Sequence, residues 1–260
     1  MDVIIFCGQS NMQGFTEGVP NMNEPVLGAS EYRWMGDLVV PLRHPVGEGF
    51  GGRDANEYFL ASNGGSLVPA FCREYVKNTS KEVMAIHVTR GNTTVGEWLR
   101  GTGRFHYAIQ KIQAGIEKAK SLGEVERIYF VWLQGETDAI IGTTEDEYVQ
   151  RLKQFKDNIK EFVKIDKFGI IRVGYFCAIS EWYRTSVNTA EHGKACDEAI
   201  MRAQDRVSKE EDFIMLTDVT SKLSLNPDYI NPAAIGHFNN RAMDVIGEKA
   251  ARILSKIRND

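Results

Sequence analysis

The sequence contains no long hydrophobic run, and no stretch approaches the roughly 18 apolar residues that a membrane-spanning helix needs. It has no excess of positive charge either, because 31 Lys and Arg residues stand against 35 Asp and Glu residues. The net charge of -4 argues against a nucleic-acid binder and against a polybasic membrane-surface protein. The chain also opens without a basic segment followed by a cleavable apolar stretch. These absences predict a soluble, cytoplasmic protein without a nucleic-acid or membrane partner.

Cysteine is scarce, with four residues that are widely spaced and form no Cys-x-x-Cys pair. This spacing is not that of a zinc site or of a redox dithiol. Cys7 and Cys177 lie in apolar runs, where a free thiol behaves as a small buried hydrophobic group. We therefore expect free cysteines and no metal site.

Linker-like segments rich in Pro, Gly and Ser are absent as well, and no repeat or shift in composition divides the 260 residues. The content of 43% hydrophobic and 25% charged residues is that of an ordinary globular chain. A chain of this length can bury a core without support from disulfides or metals. We therefore predict a single domain over residues 1–260.

Apolar runs alternate with helical patterns along the chain. The runs are continuous rather than alternating, which is typical of parallel strands that are covered on both faces. Alternation of strand and helix predicts an α/β fold, a three-layer α/β/α sandwich with a parallel sheet of about five strands. Segments 14–65 and 180–193 fit neither pattern and are predicted to be long, functional loops. The predicted strands are 3–6, 84–89, 127–133, 170–179 and 213–219, and the predicted helices are 105–121, 145–164 and 239–257.

A serine follows the first predicted strand, in the segment Gly8-Gln9-Ser10-Asn11-Met12. A tight turn after a buried strand exposes a hydroxyl above the sheet and directs backbone N–H groups toward one point. The spacing is not Gly-x-Ser-x-Gly, so the α/β-hydrolase elbow is not matched. Ser10 is therefore a candidate nucleophile, and a plain helix N-cap is the alternative.

The strand 127–133 is followed by Gln134-Gly135-Glu136-Thr137-Asp138. Two acidic side chains at a strand end are more than a turn requires. They raise a glycosidase hypothesis, in which Glu136 and Asp138 flank a glycosidic bond. A helix start at Thr137 or Asp138 is the structural alternative.

Two further segments complete the set of candidates. Gly91 and Asn92 follow the strand 84–89, where a backbone N–H and a side-chain amide can donate to a developing oxyanion. His237 precedes the C-terminal helical pattern and is the best-placed of the five histidines to act as the base that a serine nucleophile requires.

Together these segments resemble the SGNH/GDSL hydrolase superfamily, specifically its carbohydrate acetylesterase branch, which includes proteins related to sialate O-acetylesterase and acetylxylan esterase. The block from Gly8 to Met12 and the block from Gln134 to Asp138 are the more specific matches. Gly91-Asn92-Thr93 with Trp98, and His237-Phe238-Asn239, match more loosely. The blocks occur in the expected order and span residues 8 to 247.

The resemblance implies a flavodoxin-like SGNH fold and a serine esterase that removes O-acetyl groups from a carbohydrate through an acyl-enzyme. Ser10 would be the nucleophile and His237 the base. The oxyanion and substrate would be bound by residues of the first three blocks, and no organic cofactor is needed. These binding residues are Gln9, Gly91, Asn92, Gln134 and Glu136.

The sequence departs from the family pattern at two positions. The family usually places an Asp three residues before the histidine, where this chain has Ala234. Asp228 could orient His237 only if residues 231–236 form a bulged loop, and a main-chain carbonyl is the alternative. Asn92 replaces the second glycine of the family's Gly-Gly-Thr block, which leaves the detailed oxyanion hole open.

The expected partner is a small-molecule or oligosaccharide acetyl ester. A sialate would favour an Arg in the pocket, for which Arg53, Arg90, Arg100 and Arg184 are available. Acetylated xylan would favour aromatic platforms, and the candidates are Trp98, Trp182 and Tyr183. Because Ala234 replaces the usual acid, the alternative function is a catalytically weakened carbohydrate-binding protein on the esterase scaffold.

Overall fold

A computed structural model describes residues 1–51, 57–183, 185 and 188–259 of the protein, and for Glu57 and Trp182 only the backbone. The described strands form a seven-stranded sheet in the order β3-β2-β6-β1-β7-β8-β9 and a separate ribbon of β4 and β5. The strands are β1 (Asp2–Gly8), β2 (Ala29–Arg33), β3 (Leu38–Pro41), β4 (Phe50–Gly51), β5 (Glu57–Phe59), β6 (Val83–Thr89), β7 (Arg127–Leu133), β8 (Lys167–Ile171) and β9 (Phe213–Thr217).

The expected α/β fold is confirmed, whereas the strand count and the purely parallel sheet are corrected. The five apolar runs form the parallel strands β1, β6, β7, β8 and β9. The sheet gains β2, which is parallel to β6, and the edge strand β3, which is antiparallel to β2. Both lie in the segment 14–65 that was expected to be irregular. Short edge strands need no continuous apolar run, since only part of their surface is covered.

Eight α-helices lie in the described part of the chain, and three short 3₁₀ helices cover Val95–Trp98, Glu181–Tyr183 and Pro227–Tyr229. The three predicted helices correspond to α3, α5 and α8, with ends shifted by up to four residues. The α-helices are α1 (Ser10–Gln13), α2 (Leu67–Thr79), α3 (Gly103–Leu122), α4 (Glu136–Ile140), α5 (Glu145–Lys160), α6 (Ala190–Val207), α7 (Thr220–Leu223) and α8 (Asn240–Asn259).

The predicted strand 170–179 is shorter in the structure, where β8 ends at Ile171. The buried carboxylate of Asp197 on α6 accepts hydrogen bonds from the backbone N–H groups of Phe176, Cys177 and Ala178. These donors are therefore bound to a side chain instead of a neighbouring strand. The apolar run beyond Ile171 forms a buried loop at the carboxyl edge of the sheet.

Helices cover both faces of the sheet. Phe6 of β1 contacts Phe71 of α2 at a ring-centroid distance of 5.1 Å. Its partner in register on β6 is His87, so the neighbouring Ile86 points to the opposite face, where it lies against Gly115 of α3. Helices α2 and α8 pack together on the first face, and α5 packs against α6. This is the expected three-layer arrangement.

None of the described helices is long and apolar enough to cross a membrane.

Candidate active site

Three of the segments singled out in the sequence follow adjacent strands. Because β6, β1 and β7 are parallel neighbours, their carboxyl ends share one edge of the sheet. The segments after these strands begin at Arg90, Gln9 and Gln134. The loop 231–239, which precedes α8, joins them there through hydrogen bonds to Asn11. Ligands of open α/β sheets bind at this edge.

Ser10 is the first residue of the one-turn helix α1, directly after β1. The turn depends on Gly8, whose φ of +152° is rare for other residues. A Cβ atom at Gly8 would lie 2.0 Å from the carbonyl oxygen of Leu133, so no side chain fits there. Ser10 is only 8% exposed, but it lines a cleft. Its position at N1 also directs its own backbone N–H out of the helix end.

The imidazole of His237 lies beside Ser10. Nε2 of His237 is 3.0 Å from Oγ of Ser10, and Nδ1 is 3.1 Å from the carbonyl oxygen of Ala234. A carbonyl oxygen only accepts hydrogen bonds, so Nδ1 must carry the proton. Nε2 is then free to accept the proton of the Ser10 hydroxyl. This tautomer is the one that a serine nucleophile needs from its base.

The structure does not place Asp228 in the expected role. Asp228 is exposed in the 3₁₀ helix Pro227–Tyr229, and the hydrogen bonds described for it involve its backbone. A turn brings the carbonyl of Ala234 back onto Nδ1, since the N–H of His237 also donates to that oxygen at 3.0 Å. The main-chain carbonyl that was the alternative in the sequence is therefore the partner of His237.

Two aromatic rings enclose His237. Phe15 lies at a centroid distance of 4.9 Å, and Phe176 lies edge-on at 5.4 Å. Burial among these groups lowers the pKa of His237 below its usual value, and the hydrogen bond to Ala234 offsets only part of that effect. A lowered pKa keeps the imidazole neutral to a more acidic pH. A base in this position loses its function only as the pH falls through that lowered pKa.

The cleft above Ser10 has a volume of about 330 Å³, which is within the size range of small-molecule sites. Three of the five predicted binding residues line it, namely Gln9, Gly91 and Asn92, while Gln134 and Glu136 lie beneath. Six further lining residues were not predicted as binding residues, because most of them lie in apolar surroundings and Thr137 was considered only as a helix start. These are Gln13, Phe15, Leu60, Thr137, Ile140 and Phe176.

The backbone N–H of Gly91 is not free to bind an oxyanion in this structure. It donates to Oε1 of Gln13 at 3.0 Å, while Nε2 of Gln13 donates to the carbonyl of Ala61 at 2.8 Å. Gly91 also passes close to the nucleophile, because a Cβ atom there would lie 3.4 Å from Cβ of Ser10. The side chain of Asn92 is exposed, and its backbone is left-handed with a φ of +58°.

Gln134 is fully buried, so its amide does not face the cleft. Its Nε2 lies within hydrogen-bonding distance of Oε1 of Gln9, the carbonyl of Thr93 and Oδ2 of Asp138. Oε1 of Gln9 also accepts from the backbone N–H of Thr137 at 3.2 Å. Gln134 therefore connects the segments that follow β1, β6 and β7, and it acts on the cleft through Gln9.

Glu136 and Asp138 are not placed as a glycosidase pair. Both are buried, and neither lines the cleft. Asp138 accepts hydrogen bonds from the backbone N–H of Val95 and from the hydroxyl of Thr143. Glu136 accepts from Nδ2 of Asn11 at 2.7 Å. Acids that protonate a glycosidic oxygen and activate water must reach the substrate, so this geometry opposes the glycosidase hypothesis.

Of the side chains proposed for substrate selection, some line the cleft and others do not. Arg90 lines the cleft, whereas Arg100 lines a different cavity and pairs with Glu161. Trp98 is buried and donates through Nε1 to Thr93, and Tyr183 is buried near Cys196, so neither is an open platform. Three candidates lie outside the described residues or side chains, namely Arg53, Trp182 and Arg184.

No cluster of three or more His, Cys, Asp or Glu side chains suited to a metal ion is found in the described ranges. The polar side chains of the lining residues are instead two hydroxyls, an imidazole, amides and a guanidinium. This set can perform acyl transfer, in which a hydroxyl attacks a carbonyl and an imidazole moves the proton.

Comparison with known families decides the class of the protein. The family model described as carbohydrate esterase, sialic acid-specific acetylesterase, matches residues 1–255. The chain belongs to this family. Membership of this family indicates a carbohydrate esterase, which agrees with the esterase class that the four sequence blocks imply. No curated protein sequence matches it.

Solved structures share the fold of this carbohydrate esterase at low sequence identity. A protein of Arabidopsis thaliana matches with a TM-score of 0.68 and 15% identity, over 97% of this chain and 96% of its own. The lipase/acylhydrolase of Enterococcus faecalis matches with a TM-score of 0.55 and 12% identity, over 99% and 97%. A carbohydrate acetylesterase of Xanthomonas citri, XAC1771, matches with 0.54 and 12%, over 98% of this chain and 57% of its own. These likenesses confirm the SGNH-type fold.

Proposed function

We propose that the protein is a serine esterase that removes O-acetyl groups from a carbohydrate through a covalent acetyl-enzyme. The observation that carries this proposal is the pair of contacts made by His237. Its Nε2 lies 3.0 Å from Oγ of Ser10, and its Nδ1–H is directed to the carbonyl of Ala234. Nucleophile and base are thus within hydrogen-bond reach, and the base has the required tautomer.

In the first half of the reaction, Oγ of Ser10 attacks the acetyl carbonyl carbon while its proton moves to Nε2 of His237. The tetrahedral intermediate then breaks its bond to the sugar oxygen, which leaves with the proton from Nε2. In the second half, Nε2 takes a proton from water, and the hydroxide attacks the acetyl-enzyme. The second tetrahedral intermediate breaks its bond to Oγ of Ser10, which takes the proton back from Nε2, and acetic acid leaves and loses its proton to solvent as acetate.

The oxyanion of both intermediates needs donors above Ser10. The backbone N–H of Ser10, at the start of α1, is the first donor. The N–H of Gly91 is the second, once the oxyanion displaces Oε1 of Gln13 from it. The exposed amide of Asn92 is the third candidate. One such donor typically contributes about 3–4 kcal/mol of transition-state stabilisation.

Among the substrates considered, the cleft favours an acetylated sugar that carries a negative charge, such as a sialate. Arg90 lines the cleft, and a guanidinium can bind a carboxylate through two parallel hydrogen bonds. A neutral xylan would need open aromatic platforms, but Trp98 and Tyr183 are buried. The apolar side chains of Phe15, Leu60 and Phe176 suit the methyl group of an acetyl ester.

The proposal is tested by acetate release from p-nitrophenyl acetate, O-acetylated sialate and acetylated xylo-oligosaccharides. Ser10→Ala should reduce turnover to the background rate, because a serine nucleophile alone accounts for on the order of 10⁶ in kcat. Ser121→Ala, at an exposed position on α3, is the matched control and should match the wild type. Undiminished turnover in Ser10→Ala would overturn the proposal. Sugar binding by calorimetry, without labelling of Ser10 by a fluorophosphonate, would instead establish the weakened carbohydrate-binding protein.

A further inference from the structure

Asn11, which follows the nucleophile, holds the loop that carries His237. Its Oδ1 accepts the backbone N–H of Phe238 at 3.2 Å, and its Nδ2 lies 3.5 Å from the carbonyl oxygen of Gly236. The two residues on either side of His237 are thus attached to the residue after Ser10. Asn11 is 1% exposed, so these bonds do not compete with solvent.

The orientation of the Asn11 amide is fixed by its partners. A backbone N–H can only donate, so the Asn11 atom facing Phe238 must be the oxygen. Nδ2 therefore faces Glu136, whose Oε1 accepts from it at 2.7 Å. Glu136 supplies the acceptor that keeps the amide in this orientation. A reversed amide would place its NH₂ group against the N–H of Phe238.

Glu136 is buried, and none of the ion pairs among the described residues involves it. It is 2% exposed, and its second oxygen, Oε2, has no hydrogen-bond partner among the described residues. A buried polar atom without a partner costs about 1–3 kcal/mol, so a purely structural role would be better served by an apolar side chain. A buried carboxylate that lowers stability in this way suggests a functional role in the site.

We propose that Glu136 is a positioning residue, which holds Asn11 and through it the two residues on either side of His237. The proposal rests on the proposed function for the role of His237 as base. It assigns to Glu136 and Asn11 part of the orienting task that an acid performs in a complete triad. It also replaces the substrate-binding role that the sequence suggested for Glu136.

The protonation state of Glu136 should make the activity depend on pH. Burial raises the pKa of Glu136 to about 7, and the hydrogen bond from Asn11 lowers it by less than burial raises it. Asp138 on its own helix and Asp197 on α6 raise it further, while Tyr148 and Cys177 are the other titratable groups that its charge influences. The bond from Asn11 is stronger to the ionised carboxylate. Activity should therefore rise as the pH passes through about 7.

The decisive experiment compares two variants at position 136. Glu136→Gln keeps an acceptor oxygen for Nδ2 of Asn11, whereas Glu136→Leu removes it. For p-nitrophenyl acetate, we expect kcat to fall by roughly 10–100-fold in Glu136→Leu, with KM within about twofold, and by less than about fivefold in Glu136→Gln. Glu136→Gln should also lose the ionisation near pH 7. Equal loss in both variants, or loss in KM alone, would overturn the proposal.

A second readout does not depend on turnover. The ¹⁵N resonances of His237 report its tautomer, and the Nδ1–H form should dominate in the wild type and in Glu136→Gln. In Glu136→Leu, which is examined well below its unfolding temperature, the two tautomers should mix. An unchanged spectrum in Glu136→Leu would contradict positioning by Glu136, whereas a failed Ser10→Ala test with a changed spectrum would contradict only the esterase function.

Discussion

At the residue scale, His237 contacts a main-chain carbonyl, whereas the family pattern that the sequence resembles implies an Asp carboxylate. The carbonyl of Ala234 fixes the Nδ1–H tautomer at 3.1 Å, but in the proposed reaction it would bring no full negative charge to the imidazolium. The position of the imidazole would then depend on fixed geometry rather than on an ion pair. The backbone contacts of Asn11 on either side of His237 supply such geometry.

Asp228→Asn tests whether the chain uses a distant acid after all. Because Asp228 is exposed and Nδ1 of His237 is bound to Ala234, kcat/KM for p-nitrophenyl acetate should stay within about twofold of the wild type. Loss of a true triad Asp lowers kcat by about 10⁴. His237→Gln serves as the inactive reference. A decrease beyond about tenfold in Asp228→Asn, with an unchanged circular dichroism spectrum, would show that Asp228 reaches the imidazole during turnover.

Gln13 offers a test of the oxyanion hole. In Gln13→Glu, a carboxylate would hold the N–H of Gly91 more tightly than the amide oxygen does, and would place negative charge beside the oxyanion. We expect kcat/KM to fall by roughly 10²-fold, the effect of losing one donor. Gln13→Met has a similar size and also loses the bond to Ala61, but it leaves that N–H free and should stay within about threefold. Comparable rates in the two variants would exclude the Gly91 N–H as a donor.

The residues of the site could be predicted from the sequence only where a block carries them. Ser10 and His237 lie in such blocks, and the structure brings them together. A main-chain carbonyl was considered as the partner of His237, but its identity as Ala234 and the role of the Gln13 amide could not be predicted, because they depend on the path of a loop and on a side-chain rotamer. For Gln134 the sequence block was recognised, but the predicted contact with the substrate is not found. Its side-chain amide forms hydrogen bonds with buried groups and does not face the cleft.

At the scale of elements, the site lies above the most central strands. β1 has parallel partners on both sides, so Ser10 stands on a strand that is hydrogen-bonded along its whole length. The helix pair α2 and α8 supports the same region from one face. The loop with His237 leads directly into α8, so the packing of this helix sets where the imidazole stands.

Gly247 of α8 lies close to the backbone of α2. A Cβ atom there would lie 2.5 Å from the carbonyl oxygen of Leu67 and 2.9 Å from the backbone nitrogen of Phe71. Gly→Ala in a helix normally stabilises by up to about 1 kcal/mol, but overpacking costs about 1–3 kcal/mol. Gly247→Ala should therefore lower the unfolding free energy by about 1–2 kcal/mol in thermal or urea unfolding.

Lys249→Ala, at an exposed position on the same helix, is the control and should change the unfolding free energy by less than about 0.5 kcal/mol. A higher unfolding temperature in Gly247→Ala would contradict this prediction. It would mean that α2 and α8 can move apart to accept the added methyl group without a loss of stability.

The elements most accurately predicted were the long and strongly patterned ones. β7 has the predicted ends, and α3, α5 and α8 follow their apolar stripes. Strand β2 and the edge strand β3 were missed because their stability comes from pairing with β6 and with each other rather than from an apolar run. The end of β8 was placed too late because Asp197, far along the chain, binds the backbone beyond it.

At the scale of the whole molecule, the packing predicts the reactivity of the thiols. Cys7, Cys72 and Cys177 are buried, and burial raises the pKa of each, which suppresses the reactive thiolate. Cys196 is half-buried on α6. In the folded protein, one thiol per chain should therefore react readily with a disulfide reagent, and all four should react in denaturant.

Cys196→Ser should remove the fast reaction and leave three thiols that react only on unfolding. Fast reaction of a second thiol in that variant would indicate that part of the core opens in the native state. The single-domain organisation over residues 1–260 stays a prediction, and a single cooperative transition in the same denaturant series would support it.

The contact between Ser10 and His237 joins positions that are 227 residues apart. A ribosome therefore finishes the nucleophile on the order of tens of seconds before it reaches the base. Until then the growing polypeptide carries the Ser10 hydroxyl without the imidazole that accepts its proton, and the sheet that contains β1 is not yet covered by α8. Every truncated translation product that stops before His237 should be inert toward esters, so that hydrolysis requires synthesis to continue past His237.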